Sequence, residues 1–185
     1  MLDGKRSTGE RKAKGVRGVI TDQAISSDMF KQSMRLLAGG VCILATNSEG
    51  DWCGLTMTAV CSLTLDPPSL VACVNQSTGT HRMMTRTKRV SINVLSNDQT
   101  DMAELFSSNA VRGQERFEKG KWIEMASGVP ALVDALAVLD CEVLQQTSVG
   151  EHSVFFCGVK NAMLQPDRGA LVHFNRKFFS VHPSH

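Results

Sequence analysis

The chain has 185 residues, of which 42% are hydrophobic and 21% are charged, and its formal net charge is +2. This composition suits one globular domain with a substantial core, and it excludes a disordered chain. The small net charge gives no indication of a nucleic acid or an anionic membrane as the main partner.

The basic residues are concentrated at the N-terminus, which we predict to be an arm outside the folded domain. Residues 1–20 hold six Lys or Arg side chains and two Asp or Glu side chains, with little apolar periodicity. No aromatic side chain is interleaved with these bases to stack on nucleotides, so a solvated tail is favoured over a nucleic-acid-binding arm. We therefore assign residues 1–25 to the arm and residues 26–185 to one domain.

Apolar runs and cysteine spacing indicate the cellular compartment. No run approaches the roughly 18 to 20 consecutive apolar residues of a membrane-spanning helix, and the N-terminus lacks the apolar segment of a secretory signal. The six cysteines stand singly, mostly inside apolar runs, and no two have the C-x-x-C spacing of a zinc or redox site. We expect a cytoplasmic protein whose cysteines are buried, reduced thiols.

The folded part is predicted to begin with a helix and a β-hairpin. Apolar residues at near-helical spacing predict a helix over residues 28–38, capped by Ser26 or Ser27 and ended by two glycines. The β-branched run at residues 41–46 and the extended pattern at residues 53–60 then predict the two strands of the hairpin.

The rest of the chain is also rich in predicted strands. A turn is expected at residues 66–68, because two prolines remove two backbone donors from a ladder. Further strands are predicted at residues 70–75, 90–95, 136–144, 154–164, 171–174 and 178–181, with helices over residues 80–87 and after a cap at residues 96–98. Strands that follow one another without regular helices between them favour a mainly β fold, a small barrel, over a doubly wound sheet.

Several common catalytic motifs are missing from the sequence. It contains no G-x-G-x-x-G after a strand, no P-loop, no H-E-x-x-H and no G-x-S-x-G. The five histidines lack acidic or cysteine partners at ligand spacing, so no metal site is predicted.

Residues 54–62 form the first candidate binding segment. Small residues and hydroxyls alternate there within a strand pattern, and Thr56 and Thr58 point to the same face. Small side chains would let a flat ligand approach the backbone amides and hydroxyls. An ordinary strand with tolerated threonines explains the pattern equally well.

Residues 75–80 form the second candidate segment. Amide and hydroxyl side chains follow a buried strand and begin a helix, which is the arrangement of a phosphate-binding site. A simple N-cap at Ser77, Thr78 or Thr80 is the alternative interpretation.

These segments, with others spread over residues 29–179, resemble the short-chain flavin reductases of two-component flavin-dependent monooxygenases. The resemblance depends on the order and spacing of many short pieces, since each one alone is weak. They include the G-x-T-x-x-A-V-C-S run at 54–62, D-P-P at 66–68, C-V-N at 73–75, V-S-I-N-V-L at 90–95, R-F at 116–117, Trp122, G-V-P at 128–130, L-D-C at 139–141, G-E-H at 150–152 and the end at 174–179.

The resemblance implies a flavin-reductase-like split β-barrel of Greek-key type, with two or three flanking helices, that forms a homodimer. The isoalloxazine ring of FMN or FAD would lie against Thr56, Met57, Thr58, Ala59, Val60, Cys61 and Ser62. The ribityl and phosphate end would be held by Asn75, Ser77 and Thr80. Bordering residues would be Phe106, which as part of a helical stripe is as readily a core residue, and Asn175, Arg176 and Phe178.

In this family His152 would face the nicotinamide of NADH, with NADPH the less favoured donor. A structural histidine bonded to its own turn is the alternative. Two departures from the family pattern stand out: Glu151 occupies the position before the histidine where Asp is common, and the chain has no tyrosine to supply a phenol near Phe178.

The implied activity is NAD(P)H:flavin oxidoreduction that supplies diffusible reduced flavin to a separate monooxygenase. Such an enzyme needs little side-chain acid–base chemistry, because the flavin accepts the hydride and the protein aligns the two ligands. The alternative is a flavin-binding or electron-carrier protein without NADH turnover of its own.

Overall fold

The architecture, a computed structural model, describes residues 24–182, so the predicted N-terminal arm lies almost entirely outside the described residues. The chain divides into two units, Met1–Met34 and Arg35–His185. Helix α1 (Ser27–Arg35) accounts for most of the described part of the first unit. Ser26 caps it, since the Ser26 hydroxyl accepts the N–H of Met29 at 3.2 Å.

The second unit is mainly β. Its strands, in chain order, are β1 (Gly39–Gly40), β2 (Cys42–Ser48), β3 (Asp51–Met57), β4 (Val60–Leu65), β5 (Pro68–Asn75), β6 (Arg89–Val94), β7 (Trp122–Glu124), β8 (Pro130–Leu132), β9 (Ala137–Val149), β10 (His152–Leu164), β11 (Ala170–Phe174) and β12 (Lys177–Val181). Helices α2 (Gly79–Thr87) and α3 (Thr100–Ser107) and a 3₁₀ helix (Gly113–Glu118) interrupt them.

One large antiparallel sheet organises the described residues. Its strand order is β3-β2-β6-β9-β10-β5-β4, with two smaller sheets of order β1-β11-β12 and β7-β8. Strands β9 and β10 form a long hairpin with bulges beside Cys157 and between Val159 and Asn161. The mainly β prediction is therefore confirmed.

The centre of the large sheet is buried on both of its faces. Along β2 and the residue before it, Val41, Ile43 and Ala45 belong to one apolar cluster, while Cys42 and Leu44 belong to the other. This is the alternation that a period of two produces. The first cluster continues into α3 and the second into β5, β9 and β10.

Three local expectations need correction. The predicted strand at residues 53–60 is two strands, because the chain leaves β2 after Met57 and pairs with β5 from Val60 onward. Gly39 and Gly40 do not end the helix, which stops at Arg35 rather than at residue 38, and they pair with β11 as strand β1. The N-cap of α3 is Gln99, and not one of residues 96–98 as predicted. Ser96 instead forms a β-bridge to Ala170.

The cysteines occupy three kinds of environment. All six are free thiols; Cys42, Cys141 and Cys157 are buried as expected, and burial raises the pKa of each to about 12. The expectation of burial is wrong for Cys61, which is exposed on β4, and only half correct for Cys53 and Cys73. Across residues 24–182 no helix is long and apolar enough to cross a membrane.

Candidate functional site

A cavity of about 760 Å³ lies where β3, the end of β5, α2 and the segment after α3 meet. Its floor is the backbone of β3 and the two residues that follow it. Its walls come from two helix-associated segments, and His152 borders one end. A volume of this size falls in the range of small-molecule and cofactor sites.

One end of the cavity is built for an anion. Helix α2 begins there, and the N–H groups of its first turn point outward without intrahelical partners. The Thr78 hydroxyl satisfies one of them by accepting from His81 N at 3.1 Å. Gly79 is exposed, and a Cβ there would meet nothing closer than Cys53 Sγ at 3.6 Å, so the backbone of Gly79 is open to a ligand, whereas Thr80 lines the cavity but is only 3% exposed.

The polar loop before α2 is held in shape by its own side chains. Asn75 Oδ1 accepts from both the N–H and the hydroxyl of Ser77, at 2.9 and 2.7 Å. Arg82 Nη1 donates to Ser77 O at 3.0 Å, which fixes a guanidinium at the cavity wall. This loop therefore presents hydroxyls and a cation at a preorganised position.

Arg116 closes the opposite wall. Its guanidinium donates to the carbonyls of Gly54 (2.9 Å), Phe106 (3.1 Å) and Ser108, and Nε donates to Val111 O at 2.8 Å. Burial lowers the pKa of Arg116 from its ordinary value, but a guanidinium stays protonated at neutral pH. It joins the segment after α3 to β3 and adds positive charge to the cavity.

Among the described residues, the charged side chains that line the cavity all belong to arginines. Arg82, Arg112 and Arg116 line it, and within the described residues no aspartate or glutamate does. Three cations without a nearby carboxylate favour a ligand that carries negative charge.

The other end of the cavity is lined by fewer kinds of polar group and carries less charge. It is formed by Met57, Thr58 and Ala59 at the break between β3 and β4, by Cys73 of β5, and by His152 at the start of β10. Thr58 and Ala59 are exposed and small, so a flat group can reach their backbone. Thr56 is different, because its hydroxyl donates to Ala103 O at 2.7 Å and holds α3 against β3.

The structure brings together more than half of the residues predicted from the sequence. Lining the cavity are Thr56, Met57, Thr58, Ala59, Asn75, Ser77, Thr80, Phe106 and His152. Phe106 is only 1% exposed and contacts Phe117 and Trp122, so it is also a core residue.

The remaining predicted residues lie elsewhere in the single chain. Val60, Cys61 and Ser62 follow the strand break and run along β4, at the edge of the large sheet. Asn175, Arg176 and Phe178 lie at the turn between β11 and β12, in a different sheet. None of these six lines the cavity of the described chain.

Five of the lining residues that the sequence analysis did not assign to the site are Cys53, Gly79, Arg82, Arg112 and Arg116. Arg82 and Gly79 flank the predicted phosphate cradle, so its extension by a few residues would have found them. Arg112 and Cys53 are distant in sequence from that motif, and only the packing of the segment after α3 on β3 brings them there.

Three comparisons with known proteins agree with one another. The family model described as "Flavin reductase like domain" matches residues 34–182. The chain is 37% identical over 160 residues to the FMN reductase (NADH) RutF of Pseudomonas syringae pv. syringae (strain B728a), which covers 86% of this chain and 89% of that protein. A crystal structure of a protein assigned as a flavin reductase, from Haemophilus somnus 129PT, has a TM-score of 0.82 at 32% identity, covering 85% of this chain and 100% of that one. The styrene monooxygenase flavin reductase (SMOB) of Pseudomonas putida S12 gives a TM-score of 0.75 at 26% identity, with 84% and 99% coverage.

Proposed function

The chain belongs to the flavin reductase like domain family, and from that premise we propose that it is an NADH-dependent flavin reductase that supplies reduced flavin to a separate monooxygenase. The observation that carries this proposal is the cavity, which has a cationic, hydroxyl-lined end and a flat end bordered by His152. A flavin mononucleotide has the matching shape: a phosphate at one end and a planar ring at the other.

The residues present fit a bound flavin. A phosphate at the start of α2 would accept from the N–H groups of Gly79 and Thr80 and pair with Arg82. The ring would lie on Met57, Thr58 and Ala59, where side chains are short enough for its polar edge to reach backbone groups. FMN satisfies these contacts, and FAD, which carries the same phosphate, remains the second candidate.

When bound, the flavin supplies the hydride acceptor and NADH supplies the hydride. The chain itself contributes the positions of the two ligands. Arg82 and the first turn of α2 would hold the phosphate end of the flavin, the Arg116 contacts with backbone carbonyls keep the far wall closed, and the backbone at the strand break would support the ring. No side chain is required to remove a proton in this scheme.

His152 is assigned to the nicotinamide end. Its backbone pairs with Asn75 of β5 and with Val149 of β9, so the residue stands beside the polar loop while its side chain is exposed. From there the imidazole would contact NADH and orient it over the ring. NADPH is the less favoured donor.

The oligomeric state is also part of the proposal. Strand β4 is an edge strand with Leu63 51% and Leu65 89% exposed, which a second copy of the chain would cover. Such a homodimer would place the predicted Cys61 and Ser62 beside a subunit interface. The monomer–dimer assignment is tested by sedimentation equilibrium. The cytoplasmic location remains a prediction of the sequence.

Steady-state NADH oxidation by purified protein, with FMN, FAD or no flavin added, tests the activity. The proposal predicts oxidation that depends on added flavin and saturates with it, and in air it predicts peroxide formation as reduced flavin leaves the protein. Tightly held flavin with negligible NADH oxidation would instead identify a flavin carrier. A His152→Ala variant with unchanged kcat and KM for NADH would remove His152 from the site.

A further inference from the structure

The turn between β9 and β10 carries His152 but has little packing of its own. Val149 is 65% exposed, and Gly150, Glu151 and His152 are exposed as well. Gly150 has φ +56°, in the left-handed region that allows the tight reversal. A hairpin end of this kind needs contacts from outside the hairpin to hold a side chain at a fixed position.

Gln76 provides the first set of outside contacts. Its Nε2 donates to His152 O at 3.0 Å and to Gly150 O at 3.3 Å, while its backbone N–H donates to Glu151 O at 2.9 Å. One residue therefore binds three consecutive carbonyls of the turn. Gln76 lies between Asn75 and Ser77, inside the polar loop at the anion-binding end of the cavity.

His81 provides the second set of outside contacts to this end of the hairpin. Its Nε2 lies 2.8 Å from Ser153 Oγ, and both residues are buried, at 9% and 0% exposure. The His81 ring stands edge-on to Phe155 at a centroid distance of 5.3 Å. Gln146 Nε2 lies 3.3 Å from Ser153 Oγ and 3.5 Å from the same imidazole nitrogen, so the pair is part of a buried polar cluster.

Neither Gln76 nor His81 lines the cavity, yet each is adjacent in sequence to residues that do. His81 stands between Thr80 and Arg82, and Ser153 follows His152. In β10 successive side chains point to opposite faces, so Ser153 faces away from the cavity that His152 borders, and the His81 side chain contacts Ser153 there.

We propose that Gln76 and His81 are positioning residues that together hold His152 at a set distance from the phosphate-binding start of α2. This inference rests on the proposed function, because the distance between the two ends of the cavity governs how the nicotinamide meets the flavin ring. A misplacement of about 1 Å in such an alignment is enough to lower a rate by up to about 100-fold.

The test uses the full chain with Gln76→Met and His81→Phe, two variants that keep side-chain volume and remove the side-chain hydrogen bonds, while the backbone bond from Gln76 N–H to Glu151 O stays. Gln145→Met is the matched control, because Gln145 is an exposed residue of β9 away from the cavity. Circular dichroism shows whether each variant folds. If His81→Phe fails to fold, Gln76→Met alone carries the test. For each variant we measure kcat and KM for NADH, the Kd of FMN by fluorescence quenching, and amide hydrogen exchange of residues 150–153 in flavin-free protein.

The proposal predicts that exchange of residues 150–153 accelerates and that kcat/KM for NADH falls about tenfold, while the Kd of FMN changes less than twofold. A general loss of structure would weaken FMN binding to the same extent, and that outcome would overturn a positioning role. Unchanged exchange, or faster exchange with kinetic constants equal to those of Gln145→Met, would also overturn it. A wild-type protein that never oxidises NADH refutes the proposed function instead, whereas the exchange data still decide whether the links hold the turn.

Discussion

Substitution of Gly54 by alanine tests how tightly β3 is enclosed at the cavity floor. Gly54 pairs with Ala45 in the middle of β3 and lines the cavity. A Cβ at this position would lie 3.0 Å from Leu44 O, 3.0 Å from Phe106 Cε1 and 3.2 Å from Phe117 Cζ. Its φ is outside the left-handed region, so these contacts alone determine the effect.

The neighbours of Gly54 have little freedom to move. Leu44 belongs to β2, which is hydrogen-bonded to β3 on one side and β6 on the other. Phe106 and Phe117 pack edge to face at 5.0 Å between centroids, and Phe106 is 1% exposed. Overpacking of such a site costs about 1–3 kcal/mol, and two contacts at 3.0 Å place the expected loss in the upper half of that range.

Urea unfolding followed by circular dichroism measures the loss. With a slope of about 2 kcal/mol/M for a small domain, the midpoint of Gly54→Ala should fall by about 1–1.5 M at an unchanged slope. Gly40→Ala is the matched control, since a Cβ on Gly40 meets nothing within 4 Å. Equal midpoints for Gly54→Ala and the wild type would refute the packing described for this site.

Three further predictions concern the cavity and the buried groups. Arg82→Ala should raise the Kd of FMN about tenfold or more and that of riboflavin, which lacks the phosphate, less than threefold in fluorescence titrations; equal losses for both would exclude a phosphate contact. Burial, with a smaller contribution from Arg82, lowers the pKa of His81, so the unfolded chain takes up this proton first. Stability from this group is therefore complete above the unfolded pKa of about 6.5 and decreases as pH falls below it, and in His81→Phe that part of the pH dependence of urea unfolding should disappear. A thiol reagent at pH 8 should leave three buried thiols, those of Cys42, Cys141 and Cys157, unmodified until the protein unfolds, and labelling of any of them in the folded protein, followed by mass spectrometry, would contradict their burial.

Continuous apolar and β-branched runs predict the central strands of this fold, because the centre of the large sheet is buried on both faces. The run at residues 70–75 lies inside the observed β5, and the run at residues 90–95 lies inside β6 except for its last residue. The break after Met57 was not predicted, since residues 53–60 keep an extended pattern throughout. What divides them is a change of partner from β2 to β5, and pairing between distant strands is not encoded in local alternation.

In the candidate site, too, residues whose role follows from their neighbours in sequence could be predicted, whereas residues brought in by packing of distant segments could not. Residues 75–80 could be predicted as an anion-binding segment, because hydroxyls and amides at a helix start have a local physical meaning. Arg112 and Arg116 could not be predicted as site residues, since they reach the cavity only through the packing of the segment after α3 on β3. Thr56 shows the opposite case: its pattern indicated a ligand contact, but its hydroxyl is bound to Ala103 O.

A crystal structure of the protein with FMN tests the central claim most directly. The account predicts one FMN in the cavity, with its phosphate within hydrogen-bonding distance of Gly79, Thr80 and Arg82 and its ring against Met57, Thr58 and Ala59, next to His152. A phosphate bound at the His152 end, or a flavin bound outside this cavity, would contradict the assignment of the two ends and the mechanism that depends on it.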